Sequence, residues 1–130
     1  MKVLLDTHVF LLMQVDLDRP APSARRLVED PRTELLLSAA SSWEIAIKYA
    51  LGRLPLPESP ARYVPDRMRA SGVTGMSVTH AHALGVADLP ALHRDPFDRL
   101  LVVQSAHEGC AILTADAQIA QYDVDVIAAT

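Results

Sequence analysis

The sequence predicts an α/β fold in which helices cover both faces of a mainly parallel sheet of about five strands. Five short apolar runs occur along the 130 residues, and each is bounded by polar residues. Continuous apolar runs of this length are typical of strands buried on both faces. Helix-like segments alternate with the runs, and this alternation is the pattern of βαβ units.

The expected strands and helices follow one another in a single domain that spans residues 1–130. The strands are predicted at residues 3–5, 34–38, 75–78, 111–114 and 124–127. The helices are predicted at residues 9–14, 21–29, 42–51, 60–70, 80–87, 96–108 and 116–122. Pro96 stands at a favoured first helical position, and Gly52 and Gly109 stand where helices stop. Residues 52–57 are expected to be a connector within the domain.

The composition limits the classes of function. Hydrophobic residues make up 50% of the chain, enough for a sizeable core, and the net charge is −4. This mild acidity argues weakly against a protein that coats nucleic acid, but not against a nuclease with an acidic site. The lone Cys110 cannot form an internal disulfide or a cysteine zinc site, and is expected to be a buried apolar residue. With neither a leader nor a run of roughly 18 apolar residues, we expect a cytoplasmic protein that does not enter the membrane.

Four acids stand at comparable places in this predicted pattern. Asp6 follows the first strand, and Asp116 follows the fourth. Glu44 lies near the start of the helix after the second strand, and Asp98 lies in the first turn of the long helix. In an open α/β sheet, the carboxyl ends of the strands form one rim, where ligands bind. We therefore expect the four carboxylates to meet at that rim.

Each acid alone also has a plainer explanation, because helix N-termini favour carboxylates. Asp6 and Asp116 would be N-caps, and Glu44 would reach back to Ser41 in a capping box. Asp95 would cap the long helix. Such a cap contributes about 1 kcal/mol. Capping explains the repeated acids less well, since Ser, Thr or Asn would serve equally.

Gathered carboxylates repel one another unless a cation neutralises them. Hard oxygen ligands favour Mg²⁺, with Mn²⁺ as the alternative, over zinc. Such a site is suited to phosphodiester cleavage, in which one or two ions activate a water and stabilise the charge on the phosphate. The chemistry then needs no nucleophilic side chain. The candidate catalytic and metal-binding residues are therefore Asp6, Glu44, Asp98 and Asp116.

Four segments, in order, resemble those of PIN-domain nucleases. They are LLDTHVF at residues 4–10, SAASSWEIAIK at 38–48 with LGRLPL at 51–56, HRDPFDRLL at 93–101, and LTAD at 113–116. The resemblance spans nearly the whole chain, and the DPFDR segment in this order and spacing makes it specific. The chain resembles a VapC-type toxin of a type II toxin–antitoxin pair.

This resemblance implies a PIN-like three-layer α/β/α fold and a Mg²⁺-dependent endoribonuclease with RNA as its substrate. It also implies inhibition by a cognate antitoxin protein and a homodimer. The acidic positions of the family match Asp6, Glu44, Asp98 and Asp116 in this sequence. Asp95 competes with Asp98 for the third position. We choose Asp98, because it shares a helix face with Leu101 and Val102.

Two explanations are open for each of several residues near these motifs. Thr7 and Thr114 either hold a water or an acid in place, or make local hydrogen bonds. His8 and His93 either contact the phosphate or act as bases, or they are structural.

Two explanations are also open for the nearby basic side chains and for the tryptophan. Arg99 and Lys48 either steer the RNA backbone or are solvated charges. Trp43 is expected in the core, with stacking on a base as the alternative.

Two other classes of function compete with the nuclease. An inactive PIN-fold RNA-binding or regulatory module is the main alternative, although the presence of all four acids counts against it. A phosphotransfer domain with Asp6 as acceptor is the other. A phosphatase of the haloacid-dehalogenase type needs a second Asp where this chain has His8. A response-regulator receiver needs a later Lys, and none follows Lys48.

Overall fold

The structure, a computed structural model, describes residues 1–16 and 18–130. Within them, five strands form one sheet: β1 (Lys2–Leu5), β2 (Glu34–Ser38), β3 (Val73–Met76), β4 (Ala111–Thr114) and β5 (Val126–Ala128). The strands are ordered β3-β2-β1-β4-β5, and every neighbouring pair is parallel. The predicted parallel sheet of about five strands is confirmed.

Six α-helices connect these strands: α1 (Thr7–Val15), α2 (Pro22–Glu29), α3 (Ala39–Ala50), α4 (Pro60–Ser71), α5 (His80–Gly85) and α6 (Pro96–Glu108). Val3 and Leu5 of β1 belong to a core on one face of the sheet, with apolar residues of the first four helices. Leu4 points to the other face and packs in a second core with Leu101 and Val102 of α6. Successive side chains of a strand point to opposite faces, so the apolar run of β1 supplies both cores. The three-layer α/β/α arrangement is confirmed.

Next to candidate site residues, one predicted helix start is wrong, and one predicted helix does not form. Helix α3 begins at residue 39 rather than 42, because the Ser38 hydroxyl caps it by accepting the Ala40 N–H at 3.0 Å. The expected capping box of Ser41 and Glu44 is therefore wrong, since both residues lie inside the helix. No α-helix forms at residues 116–122. The Asp116 carboxylate accepts the Gln118 N–H at 2.8 Å, and this local bond favours a turn over a helix.

The centre of the sheet contains a change of direction in the chain. From β1 the chain builds β2 and β3 on one side, whereas β4 and β5 lie on the other. The carboxyl ends of β1 and β4 are neighbours, with Leu5 in register with Leu113. The Asp6 N–H donates to the Leu113 carbonyl at 3.0 Å, so the pairing continues beyond the strand. Such a point of reversal is where open α/β sheets bind ligands.

Helix α6 runs back from this rim beneath the second core. Leu101, Val102 and Ser105 are buried, and Gly109 ends the helix with a φ of 65°. Its bounds coincide with the predicted ones. Among residues 1–16 and 18–130, we find no helix with the length and apolar character that a membrane crossing requires. That residues 1–130 form a single domain stays a prediction.

Gly109→Ala should lower the free energy of unfolding by about 1–2 kcal/mol, because the left-handed conformation is costly for residues with a Cβ. A Cβ at Gly109 would meet nothing within 4 Å, so the cost is conformational and not steric. Gly75→Ala is the matched control, because its Cβ would make an ordinary 3.7 Å contact with Met68. Urea denaturation measures both variants. Equal stability of the two would contradict the explanation.

Candidate metal-binding site

Asp6 lies at the junction of β1 and α1 and is 3% exposed. Its Oδ1 accepts the His8 N–H at 3.2 Å and so caps α1. Its Oδ2 accepts the Thr114 hydroxyl at 2.6 Å. Thr114 Oγ1 in turn accepts the Asp116 N–H at 2.9 Å. The Thr114 hydroxyl, at the end of β4, therefore links Asp6 to the segment that carries Asp116. This agrees with the first of the two explanations for Thr114, namely that it holds an acid in place.

Asp95 and Asp98 have different positions at the start of α6. The Asp95 Oδ1 accepts the Phe97 N–H at 2.8 Å and the Asp98 N–H at 3.3 Å. Asp95 is therefore the N-cap, as predicted. Asp98 is the third helical residue, and its side chain is 13% exposed. The Asp98 Oδ2 lies 3.0 Å from Nε2 of His93, so Asp98 is the acid that faces the other candidate residues.

Glu44 lies in α3 and is 2% exposed. Its Oε2 accepts a hydrogen bond from the Lys48 ammonium at 2.7 Å, one helical turn away. The bond to Glu44 raises the pKa of Lys48, and the charges of Asp95 and Asp98 contribute. The Oε1 of Glu44 is buried and lacks a hydrogen-bond partner among the described residues. A buried unpaired carboxylate oxygen is costly, so this oxygen is a candidate ligand atom for a cation.

His93 is the site residue that sequence reasoning weighed but did not choose. Its Nε2 lies 2.9 Å from Oδ2 of Asp116 and 3.0 Å from Oδ2 of Asp98. Its Nδ1 accepts the Asp95 N–H at 3.1 Å. In the neutral ring, Nε2 must then carry the proton and donate to the acids. The sequence signal that could have identified His93 is its position two residues before Asp95, the N-cap of α6.

The surroundings move the pKa values of Asp98 and Asp116 in opposite directions. Burial, together with the negative charges of Asp95, Asp6 and Glu44, raises the pKa of Asp98 to about 7, although His93 acts in the opposite direction. Burial also raises the pKa of Asp116, but hydrogen bonds from His93 and the Gln118 N–H outweigh it and leave the pKa below its usual value. Burial and negative neighbours therefore favour the protonated form of Asp98, whereas Asp116 is held in its charged form.

The structure brings two of the four predicted acids, Asp98 and Asp116, together with His93, and a ligand atom from each of the three lies within 4.8 Å of the others. Asp6 and Glu44 are not part of this group. Asp6 is linked to the end of β4 through Thr114, and the charges of Asp6 and Glu44 act on Asp98. A divalent cation fits both features. The buried oxygen of Glu44 would coordinate it, and its charge would offset the negative charges around Asp98. An all-carboxylate donor set suits Mg²⁺.

Because Nε2 of His93 carries the proton, this atom is not free to bind a metal ion directly. Coordination through Nε2 needs a lone pair on that atom. If the proton moved to Nδ1, the Nδ1–H and the Asp95 N–H would be two donors that face each other. His93 is thus better placed to orient Asp98 and Asp116 than to bind the ion.

Arg99 and Thr7 have hydrogen-bond partners outside the four acids. Arg99 donates to the carbonyls of Pro90 and Val86 at 3.0 and 3.2 Å, so it ties down the loop before α6. The Thr7 hydroxyl donates to Ser41 at 2.8 Å and links α1 to α3. The two residues are 34 positions apart in the chain, so this bond joins two elements and is not the local bond of the plainer explanation. His8 is exposed.

Two apolar predictions had opposite outcomes. Cys110 is buried, as predicted, with 3% of its surface exposed. The expectation that Trp43 lies in the core is wrong, because 61% of its surface is exposed. Trp43 immediately precedes Glu44 on α3, and the buried Glu44 occupies the inward face of this turn.

A family profile described as PIN domain matches residues 3–125. The chain belongs to the PIN domain family. It is also similar to a Mycobacterium tuberculosis protein named Ribonuclease VapC16, with 62% identity over 58 residues. The aligned segment covers 45% of this chain and 41% of that protein, less than half of each.

Two solved structures share the fold. A chain of VapBC2 from Rickettsia felis, bound to a DNA fragment from its promoter, has a TM-score of 0.70 at 11% identity and covers 98% of both chains. A chain of VapBC-1 from nontypeable Haemophilus influenzae has a TM-score of 0.66 at 18% identity and also covers 98% of both chains. At these identities, the likeness concerns the fold.

In metal-free protein, raising the pH from 5 to 8 should lower the melting temperature more for the wild type than for Asp98→Asn. Unfolded Asp98 titrates near 3.8, whereas the folded pKa is about 7. The unfolded state therefore loses this proton first, and the native state loses stability as the pH rises through that interval. Thermal melts in EDTA measure the difference.

Asp95→Asn should give an intermediate slope, since it removes a neighbouring charge while Asn still caps the helix. Equal slopes for the wild type and both variants would contradict the crowding of carboxylates around Asp98.

The His93 ring should keep its proton on Nε2, whether or not Mg²⁺ is present. Long-range ¹H–¹⁵N spectra of histidine-labelled protein distinguish the two neutral ring forms, with His93→Gln identifying the signal. An unprotonated Nε2 in the presence of Mg²⁺ would instead make His93 a direct ligand.

Proposed function

We propose that this protein is a Mg²⁺-dependent endoribonuclease, with Mn²⁺ as the alternative ion. Asp6, Glu44, Asp98 and Asp116 would hold one or two ions and serve as its catalytic residues. The observation that carries the proposal is the buried, unpaired oxygen of Glu44 beside an Asp98 whose neighbours are negative. Membership of the PIN domain family and the segment similar to a protein named a ribonuclease support it.

A bound divalent ion would stabilise charge on the phosphate and make a water more acidic. The contribution of this chain is to orient the acids. Thr114 holds Asp6, and His93 holds Asp116. Lys48 occupies one oxygen of Glu44 and leaves the other free. The carboxylates thus act as ligands, and no side chain serves as the nucleophile.

We further propose that the protein is the toxin of a type II toxin–antitoxin pair, inhibited by a cognate antitoxin, and that it forms a homodimer. The fold it shares with chains of VapBC2 and VapBC-1 supports the pairing. Co-expression with the product of the neighbouring reading frame tests the antitoxin, which should co-purify and suppress cleavage. Light scattering of the isolated protein measures the number of chains.

Asp98→Asn should reduce RNA cleavage by at least about 100-fold, more than the loss typical of a residue that supports a ligand. Cleavage of a fluorogenic RNA measures this, with EDTA abolishing the wild-type rate and added Mg²⁺ restoring it. Glu58→Gln removes one charge from an exposed connector residue and should retain wild-type activity.

Wild-type rates for Asp98→Asn and Asp6→Asn, or cleavage that persists in EDTA, would refute the metal-dependent site. Mg²⁺-independent RNA binding without cleavage would favour the inactive RNA-binding module.

A further inference from the structure

The hydroxyl of Tyr122 is a buried polar group that lies outside the cluster of acids. Tyr122 is 5% exposed, and its ring belongs to the second core. Its Oη accepts the His93 N–H at 2.9 Å and donates to the Pro90 carbonyl at 3.1 Å. Nη1 of Arg99 donates to the same oxygen at 3.2 Å. A phenol has one proton to donate and an oxygen that accepts, so these contacts use both of its capacities.

These contacts hold the loop that precedes α6. Residues 89–95 contain no helix or strand, so the bonds made by side chains determine the course of this loop. Tyr122 binds Pro90 and His93, and the Leu92 N–H donates to the Pro90 carbonyl at 2.9 Å. Nη1 of Arg99 also donates to the His93 carbonyl at 3.4 Å. Both backbone polar groups of His93 are therefore bound, the N–H by Tyr122 and the carbonyl by Arg99.

The bond to His93 exceeds what the tyrosine itself requires. A buried phenol needs one partner for its hydroxyl, and the Pro90 carbonyl alone would supply it. The further bond fixes the residue whose ring Nε2 lies 2.9 Å from Oδ2 of Asp116 and 3.0 Å from Oδ2 of Asp98. Hydrogen bonds weaken steeply when their geometry departs from the optimum. The ring of His93 therefore depends on a backbone that stays in place.

Tyr122 also belongs to the segment that carries Asp116. This segment leaves the end of β4, and Tyr122 follows Asp116 along it. It contacts the loop before α6 at the backbone of His93 through Tyr122, and at the ring of His93 through Asp116. The ring contact alone would leave the loop free to turn about a single bond. The second contact, made by a residue anchored in the core, removes that freedom.

We propose that Tyr122 is a positioning residue of the site: its hydroxyl fixes the backbone of His93 and so holds the His93 ring between Asp98 and Asp116. Tyr122 lies outside the four motif segments. This inference rests on the proposed ribonuclease function and adds to it a residue that acts through His93 and not on the ion or the RNA.

The first test uses metal-free protein, so that its result does not depend on cleavage. NMR of histidine-labelled protein in EDTA measures how fast the backbone N–H and the Nε2–H of His93 exchange with water. Tyr122→Phe keeps the ring but lacks the hydroxyl, so both protons should exchange roughly 10-fold faster, the change expected when one hydrogen bond is lost. Tyr63→Phe is the matched control, because Tyr63 is also buried, at 7%, but belongs to the first core.

Cleavage of RNA at saturating Mg²⁺ is the second test. Tyr122→Phe should lower kcat roughly 10-fold, as is usual when a group that orients a site residue is removed. The KM for RNA should change little. In a His93→Ala background, Tyr122→Phe should lower kcat no further, because no ring is left to position. Thermal melts verify that each variant is folded at the temperature of the assay.

Unchanged proton exchange and unchanged kcat in Tyr122→Phe would overturn this inference and leave the ribonuclease intact. An equal loss of kcat with and without the His93 ring would overturn it as well, since Tyr122 would then not act through His93. Absence of Mg²⁺-dependent cleavage by the wild type would refute the proposed function itself, while the exchange rates would still decide whether Tyr122 holds His93.

Discussion

The parallel pairing of β1 with β4 is the constraint on which the candidate site depends. It sets Leu5 beside Leu113, and so it places Asp6 next to the residues that follow β4. The Thr114 hydroxyl then joins Asp6 to the Asp116 backbone. These residues are more than 100 positions apart in the chain, with 108 positions between Asp6 and Thr114. A shift of register by one residue would turn every side chain of β4 to the other face and separate the acids.

The same convergence creates a repulsion that the fold relieves only in part. His93 donates toward the acids from one side, and Lys48 pairs with Glu44 on the other. Asp98 still has a pKa of about 7, and one oxygen of Glu44 stays unpaired. Electrostatic strain of this kind is characteristic of functional sites, where a ligand supplies the missing charge.

Capping and ligand binding are not exclusive explanations for an acid at this rim. Asp6 caps α1 with one oxygen, while Thr114 orients the other. At α6 the two tasks are divided, with Asp95 as the cap and Asp98 facing His93. Pro96 separates them by fixing the first helical position, so that Asp98 falls on the first turn. A helix N-terminus thus fixes the orientation of a carboxylate and still leaves the carboxylate able to bind a ligand.

The sequence by itself determined the layered fold and the extents of β2, β4 and α6, because short apolar runs and capping residues act locally. The site of four acids stays a prediction from their positions near the ends of the strands. Only the tertiary structure decided which groups meet. His93 became a donor between Asp98 and Asp116 through contacts 5 and 23 residues away in the chain. Trp43 lies outside the core because the buried Glu44 takes the inward position beside it. Such placements depend on how whole elements pack, and no local pattern contains that information.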